Sequence, residues 1–145
     1  MKALIQRVDR ASVTINGKLF SQIGQGLLVL LGVEKGDEKL NADKLAEKLV
    51  KLRIFEDENE KMNKSLLDVS GEMLIVSQFT LCGDCKKGTR PSFDKSAPPE
   101  IANELYEYFI SKIKEYEVPV QTGKFGAMMK VELVNDGPVT FLIEK

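Results

Sequence analysis

The first quarter of the chain alternates apolar and polar residues in the manner of β-strands. Asn16-Gly17 lies within this region, and an Asn-Gly pair between alternating runs predicts a β-hairpin turn. The apolar positions around it are Val13, Ile15, Leu19 and Ile23. The run from Leu27 to Leu31 is apolar without interruption, which is typical of a strand that is buried on both faces. Residues 2–33 are therefore predicted to form strands, with a central strand near 27–31.

Two later segments carry apolar residues at the three- and four-residue spacing of an amphipathic helix. The first covers about residues 38–54, and Asp37 is its predicted N-terminal cap. Its apolar stripe consists of Leu45, Leu49 and Leu52. The second begins at Pro98 and Pro99, because proline is favoured in the first turn of a helix. Its apolar positions are Ile101, Leu105, Tyr108, Phe109 and Ile113.

The remaining apolar segments complete an α+β pattern. Residues 73–80 are predicted to form a buried strand that ends in polar side chains, and two closing strands are predicted near 127–135 and 138–144. Strands come first, helices follow, and more strands close the chain. We therefore expect one α+β domain over residues 1–145, with a mainly antiparallel, barrel-like sheet and two covering helices.

Composition limits the partners and the location that this chain can have. The formal net charge is −1, so the surface as a whole does not attract nucleic acid, and such a partner would need a local basic patch. The longest apolar run is too short to cross a bilayer. The N-terminal residues turn polar too soon for a signal peptide. We expect a cytoplasmic protein without a membrane partner.

Histidine is absent, and the two cysteines form a single Cys-x-x-Cys at Cys82 and Cys85. A zinc site needs about four ligands, and no further cysteine or histidine is present to complete one. A redox pair stays open as an alternative, but Gly83, Gly88 and Pro91 give the segment a loop character. The favoured interpretation is a solvent-facing loop with incidental thiols. No metal and no cofactor are expected.

The polar end of the predicted strand at 73–80 is the first candidate site. Ser77, Gln78, Phe79 and Thr80 stand where the backbone leaves the sheet. One interpretation is that these groups line a site; the other is that Ser77 and Thr80 satisfy local backbone groups. A nucleophilic Thr80 would need a base, and the chain offers neither a histidine nor an adjacent lysine. Alternatively, the substrate supplies a reacting group and the protein supplies position and hydrogen bonds.

A basic segment follows this strand. Lys86, Lys87 and Arg90 lie within five residues, with Phe93 close by. Basic residues interleaved with an aromatic suit a phosphate backbone and a stacked base. Lys124 and Phe125, which are flanked by glycines, repeat the pattern. The alternative is that the segment is an ordinary solvated loop.

Gly137-Pro138 interrupts a segment whose composition is that of a strand. Proline has no N–H for a strand ladder, and glycine adopts backbone angles that are closed to other residues. The backbone itself is therefore predicted to be accessible here, as a group that a ligand can contact.

Together these residues resemble the D-aminoacyl-tRNA deacylase family, of the D-tyrosyl-tRNA deacylase type. The resemblance runs over the full length and is carried by two motifs, Ser77 to Leu81 and Asn135 to Thr140. Further matching segments are Ala3 to Val8, Arg10 to Val13, Leu28 to Val33 and Arg90 to Phe93. The resemblance implies a homodimer that hydrolyses the ester between a D-amino acid and the acceptor end of tRNA, with glycine mischarged on tRNA as a second substrate.

The resemblance also implies roles for individual residues. Ser77, Gln78, Phe79 and Thr80 would form the catalytic site, with the backbone N–H groups of Phe79 and Thr80 as oxyanion donors. Gly137 and Pro138 would adopt the cis form and reach into the partner's site to reject L-amino acids, and Arg7 would orient them. The tRNA would be held by Lys86, Lys87, Arg90, Phe93, Lys124 and Phe125. The competing hypothesis is a non-catalytic module that binds the end of an RNA.

Overall fold

The computed structural model describes all 145 residues and contains eight strands and two α-helices. A 3₁₀ helix at Phe79–Cys82 follows the sixth strand. The α-helices are α1, Lys39–Lys51, and α2, Pro99–Glu115. The strands are β1 Lys2–Ile15, β2 Lys18–Ile23, β3 Gly26–Gly32, β4 Phe55–Glu56, β5 Met62–Lys64, β6 Glu72–Ser77, β7 Val120–Thr122 and β8 Lys130–Glu144.

Six of the strands form one curled sheet, and β4 and β5 form a separate hairpin. The order is β2-β1-β3-β6-β7, and β8 pairs with β1. The long β1 pairs with β3 through Lys2–Val8 and with β2 beyond residue 10. The Ser21 hydroxyl donates to the Thr122 carbonyl at 2.7 Å, so β2 approaches β7 and the sheet is nearly closed. The predicted α+β fold with a barrel-like sheet is confirmed.

The central strands are apolar on both faces because each face meets a different core. Leu27, Val29 and Leu31 point into a large core that α1 and α2 cover. Leu28 and, on β6, Leu74 and Val76 point into a smaller core inside the curled sheet. Successive side chains of a strand alternate between faces, so an uninterrupted apolar run is what two cores require. The prediction of a central strand at 27–31 is confirmed.

Both predicted helices are present, but the predicted cap of α1 is wrong. Asp37 instead accepts hydrogen bonds from the N-terminal ammonium group at 2.5 Å and from the Glu34 N–H at 2.7 Å. The helix begins after Glu38, whose N–H donates to the Asn41 side chain at 2.8 Å. It ends at Lys51, three residues before the predicted end. Neither helix combines the length and the apolar character needed to span a membrane.

Two parts of the sheet differ from the sequence prediction. β3 pairs with β6, and β6 with β7, in parallel, whereas the other pairs are antiparallel. The parallel pairs arise because a helix connects their strands, as in βαβ units. The short β7 was not predicted. The two closing strands are in fact one, since β8 runs from Lys130 to Glu144 through Gly137-Pro138.

Two glycines are required by the backbone of the sheet. Gly17 has φ of 75° in the β1–β2 turn, which confirms the predicted Asn-Gly hairpin. At Gly26, an added Cβ would lie 1.8 Å from the Glu72 carbonyl oxygen. Glycine is the residue that permits such a close approach. Gly26 thus allows β3 and β6 to begin their parallel pairing.

Candidate active site

The carboxyl ends of β3, β6 and β7 lie at the same edge of the sheet, because these strands are parallel. In both open and closed sheets of parallel strands, ligands commonly bind at the carboxyl ends of the strands. β6 ends at Ser77, and the segment after β7 continues beside it, with the Gly123 N–H donating to the Ile75 carbonyl at 3.0 Å. Ser77, the last residue of β6, and Lys124, just after β7, therefore lie at the ends of adjacent strands at one edge.

A short turn, Gln78 to Cys82, follows β6 and is here called the strand-end turn. The Gln78 N–H donates to the Leu31 carbonyl at 2.8 Å and fixes the start of the turn. Phe79 and Thr80 are exposed. The first N–H groups of a helix have no carbonyl one turn earlier to donate to. The backbone N–H groups of Phe79 and Thr80 are thus placed to bind an external oxygen.

The Thr80 hydroxyl has one side-chain partner, the Gln78 amide. Gln78 Nε2 donates to Thr80 Oγ1 at 2.5 Å. This contact occupies a lone pair of the hydroxyl and removes no proton, whereas an activated nucleophile requires an adjacent base. Neither a carboxylate nor an amine hydrogen-bonds to Thr80. The geometry therefore favours a role for the backbone of Thr80 over a role for its hydroxyl.

The basic segment is folded back beside this turn. Asp84 and Ser92 pair their backbones, with N–H to carbonyl distances of 2.7 and 2.9 Å, and enclose residues 84–92, here called the basic loop. The Phe93 ring contacts the Phe79 ring edge-on, with centroids 5.0 Å apart. A cavity of about 350 Å³ in the loop is lined by charged side chains, among them Lys86, Lys87 and Arg90.

Phe125 and Cys82 are less accessible than their sequence context suggests. Phe125 is half-buried against the core, with its ring centroid 5.9 Å from that of Tyr106. Lys124 is exposed. Cys82 is buried and its Sγ lies 3.5 Å from the Val33 carbonyl oxygen. The interpretation of both thiols as solvent-facing is therefore wrong for Cys82, and burial raises the pKa of its thiol. Cys85 is exposed.

Gly137 and Pro138 lie in a wide bulge between β1 and β8. Gln6 pairs with Thr140 and Val8 with Asn135, so residues 136–139 face Arg7 alone; this segment is here called the Gly-Pro bulge. The Gly137-Pro138 peptide bond is cis. Both residues are exposed, in agreement with the prediction of accessible backbone.

Arg7 supports the bulge from beneath. Its side chain is 4% exposed and its Nε lies 3.0 Å from the Asp136 carboxylate. Nε also donates to the Asp136 carbonyl at 3.2 Å, and Nη1 donates to the Ile54 carbonyl at 2.8 Å. A Cβ on Gly137 would lie 3.1 Å from Nη2. The guanidinium group thus fills the space under the bulge, and Ile54 is a support that the sequence did not indicate.

Asn135 closes the bulge from its own strand. Its Oδ1 accepts the Val139 N–H at 3.0 Å, and its Nδ2 donates to Thr140 Oγ1 at 2.9 Å. Gln6 Nε2 donates to the same hydroxyl at 3.3 Å. Side-chain amides therefore replace the ladder hydrogen bonds that are interrupted at the bulge.

Within one chain, the strand-end turn and the Gly-Pro bulge are far apart. Gly137 faces Arg7, which pairs with Leu27, and Leu27 pairs with Met73. From β8 to β6 there are three strand spacings, and from Met73 to Ser77 there are four residues. With about 4.8 Å per spacing and about 3.3 Å per residue, the separation along the sheet is about 20 Å. A single chain does not bring these two groups to one small ligand.

Comparison with known proteins identifies the family. Residues 4–144 match the family model described as D-Tyr-tRNA(Tyr) deacylase. This chain belongs to that family. Two relatives of the deacylase family, both named D-aminoacyl-tRNA deacylase, are the Geotalea daltonii protein, 65% identical over 99% of this chain and 96% of its own length, and the Haemophilus influenzae protein, 62% identical over 97% of both. The predicted family and enzyme class are confirmed.

Two solved structures share the fold of this chain over nearly its full length. The structure titled "c-Myc DNA Unwinding Element Binding Protein" has a TM-score of 0.94 and 43% identity, and covers 100% of this chain and 99% of its own. A probable eukaryotic D-amino acid tRNA deacylase has a TM-score of 0.82 and 18% identity, over 99% of this chain and 98% of its own. At the lower identity, the likeness supports the fold alone.

Proposed function

We propose that this protein hydrolyses the ester bond of D-aminoacyl-tRNA, and of glycine mischarged on tRNA, in the cytoplasm. The observation that carries the proposal is the exposed strand-end turn, which offers backbone donors and no general base, in a chain of the deacylase family. Hydrolysis at such a site depends on position and on stabilisation of the oxyanion.

In the proposed mechanism, the N–H groups of Phe79 and Thr80 bind the oxygen of the ester carbonyl as it gains charge. Donors of this kind contribute about 2.7–4 kcal/mol each to transition-state stabilisation. Gln78 uses one amide N–H for Thr80, which leaves its other polar atoms for the ribose end of the substrate. Ser77 lines the approach to the turn. The 2′-hydroxyl of the terminal ribose helps to activate the water, so no histidine is needed.

The Gly-Pro bulge acts as the filter against L-amino acids. Its exposed carbonyl groups would occupy the space that the side chain of an L-residue requires, whereas glycine has no side chain to exclude. Rejection by clash and unpaired polar groups discriminates strongly without attraction to any particular side chain. The separation of about 20 Å along the sheet supports a filter that acts on the strand-end turn of a second subunit.

We infer a homodimer in which a second copy covers one face of β1, β3 and β8. On this face, Leu4 pairs with Leu30 on one side and with Leu142 on the other. Leu142 is 58% exposed, and paired residues of adjacent strands point to the same face. Such apolar rows are suited to burial against a partner. The second copy is the partner that brings the two halves of the site together.

The acceptor end of the tRNA is held on the basic side of the strand-end turn. Lys86, Lys87 and Arg90 contact its backbone, and Phe93 is exposed for stacking at this position. On the other side of the turn, Lys124 and the partly exposed edge of Phe125 follow β7. Net acidity elsewhere restricts the contact to this region.

The test is the rate of amino acid release from D-Tyr-tRNA, L-Tyr-tRNA and Gly-tRNA by the purified full-length protein. We expect release from the D-ester and the glycyl ester, and release from the L-ester at the rate without protein. If the protein releases no amino acid but still binds tRNA, it is an RNA-end-binding module instead. Equal release of D- and L-tyrosine would leave hydrolysis standing and overturn the filter.

A further inference from the structure

The basic loop encloses more positive charge than its own carboxylates balance. Four cations line its cavity, Lys86, Lys87, Arg90 and Lys95, against two carboxylates, Asp84 and Asp94. Lys86, Lys87 and Arg90 form no ion pair, and Lys95 approaches Asp84 at 4.0 Å. The cavity therefore carries two more positive than negative side chains, and three of its cations have no carboxylate partner. A concave surface with unpaired charge of one sign attracts an oppositely charged ligand.

Asp84 organises this loop. Its Oδ1 accepts the Lys86 N–H at 2.9 Å, and this hydrogen bond holds the pKa of the carboxyl below its usual range. The backbone of Asp84 pairs with that of Ser92. Its Oδ2 is the atom that Lys95 approaches. The Asp84 side chain therefore fixes the backbone at the start of the loop and lies beside Lys95, the cation that follows the end of the loop.

We propose that this cavity is a phosphodiester subsite for the single-stranded acceptor end of tRNA, and that Asp84 is its positioning residue. The inference rests on the proposed function. The lining lacks apolar side chains, which suits a phosphate better than an aminoacyl group. Phe93 joins the loop to Phe79 at 5.0 Å between centroids. A tRNA backbone bound in the cavity therefore places the terminal ester at the strand-end turn.

Asp94 has a separate role in this subsite. Its carboxylate lines the cavity without a hydrogen bond or an ion pair from a side chain. It therefore repels a bound phosphate and weakens the hold on tRNA. Binding that is equally strong in the ground and transition states does not raise the rate of the chemical step. Weaker binding of the tRNA backbone therefore leaves kcat unchanged.

The first experiment separates phosphate contacts from ester chemistry. Lys86→Ala combined with Arg90→Ala is compared with wild type on D-Tyr-tRNA and on the D-tyrosyl ester of adenosine, which lacks phosphate. We expect KM for the tRNA to rise at least tenfold, kcat to hold within twofold, and hydrolysis of the adenosine ester to be unchanged. Equal losses on both substrates, or none on either, would overturn the subsite.

The salt dependence of binding to uncharged tRNA tests the subsite even if no ester is cleaved. Each phosphate contact on a single strand adds about 0.7 to the slope of log K against log salt, so loss of two contacts lowers it by about 1.4. The matched control is Lys44→Ala with Lys48→Ala, an equal change of charge at exposed positions of α1. An equal fall of the slope in the control would reduce the effect to net charge and contradict the proposal.

A third experiment separates position from charge at the two carboxylates. Asp94→Asn removes a repelling charge, and we expect tRNA binding to become severalfold tighter. Asp84→Ala removes the same charge and also the acceptor for the Lys86 N–H. We expect it to bind severalfold more weakly, with binding restored by Asp84→Asn, which keeps an acceptor. Tighter binding by Asp84→Ala would show that charge alone acts there.

Discussion

The strand-end turn and the Gly-Pro bulge both expose backbone groups, but the fold supports them in different ways. The turn stands at the edge of the sheet, where Gln78 leaves the ladder with one hydrogen bond to Leu31. The bulge interrupts a strand in mid-course and is held by Arg7, which is 4% exposed in its side chain. Donors at a sheet edge need little support, because they are free wherever a strand ends. A bulge in a ladder needs buried partners to keep one shape.

The difference predicts how each region responds to substitution. Changes to side chains in the turn should leave the backbone donors in place and alter rates modestly. Changes beneath the bulge should alter its shape and so its selectivity, with little effect on the chemical step. Catalysis and stereochemical selection are therefore separable by mutation.

The largest effect is expected from Arg7→Ala. It leaves the Asp136 carboxylate and the Ile54 carbonyl without their partner, and loss of such hydrogen bonds to a charged group costs about 1.5–3 kcal/mol in the free energy of unfolding. The bulge then loses its support, so hydrolysis of L-Tyr-tRNA should appear. Urea unfolding measures the first effect and the ratio of D- to L-ester rates the second. An unchanged ratio at reduced stability would mean that Arg7 acts on the fold alone.

A smaller and more local effect is expected from Gly137→Ala. The added Cβ would lie 2.7 Å from Val139 Cγ2, and φ of 122° is closed to most L-residues. Strain of this kind costs about 1–3 kcal/mol, and the displaced bulge should lose selectivity against the L-ester. The matched control is Gly17→Ala, with φ of 75° and open space around its Cβ. We expect the control to lose stability and keep its selectivity.

Much of this architecture follows from local patterns in the sequence. The uninterrupted run Leu27 to Leu31 predicted a central strand because both faces of that strand meet a core. Pro98 and Pro99 marked the start of α2 because proline fits the first turn. By contrast, β7 has only three residues, too few to show the alternation of apolar and polar positions that identifies a strand. Its pairing with β6 is set by contacts distant in sequence.

Sequence patterns predicted the site as separate segments. Only the family resemblance predicted that Gly137-Pro138, oriented by Arg7, joins the catalytic residues across two subunits. The strand-end residues and the basic residues were visible because polar and charged residues interrupt apolar runs. Nothing in the sequence linked Arg7 to the Ile54 carbonyl, since a backbone acceptor leaves no trace in residue type. The same holds for Asp84, whose role depends on how the basic loop closes. The one sequence signal for the role of Asp84 was its place just before a run of basic residues.

Cys82 tests how rigid the strand-end turn is. Burial raises the pKa of its thiol, so at neutral pH it carries less of the reactive thiolate than an ordinary cysteine. Cys85 is exposed. Iodoacetamide at neutral pH should therefore add one group quickly, at Cys85, and a second only slowly, as read by mass spectrometry of the intact protein. Equal rates at both thiols would show that the turn opens freely.

The smallest effect is expected from Thr80→Ala, which leaves the backbone of the strand-end turn unchanged. The hydroxyl only accepts a hydrogen bond from Gln78, so its loss should cost less than about 1 kcal/mol of transition-state stabilisation, a change in kcat within about fivefold. A nucleophilic hydroxyl predicts a fall of more than about a thousandfold. Single-turnover release of D-tyrosine from D-Tyr-tRNA distinguishes the two. A fall of that size would show that the Thr80 side chain is a catalytic group. The modest change would leave the backbone oxyanion donors as the catalytic groups, with selectivity set by the Gly-Pro bulge.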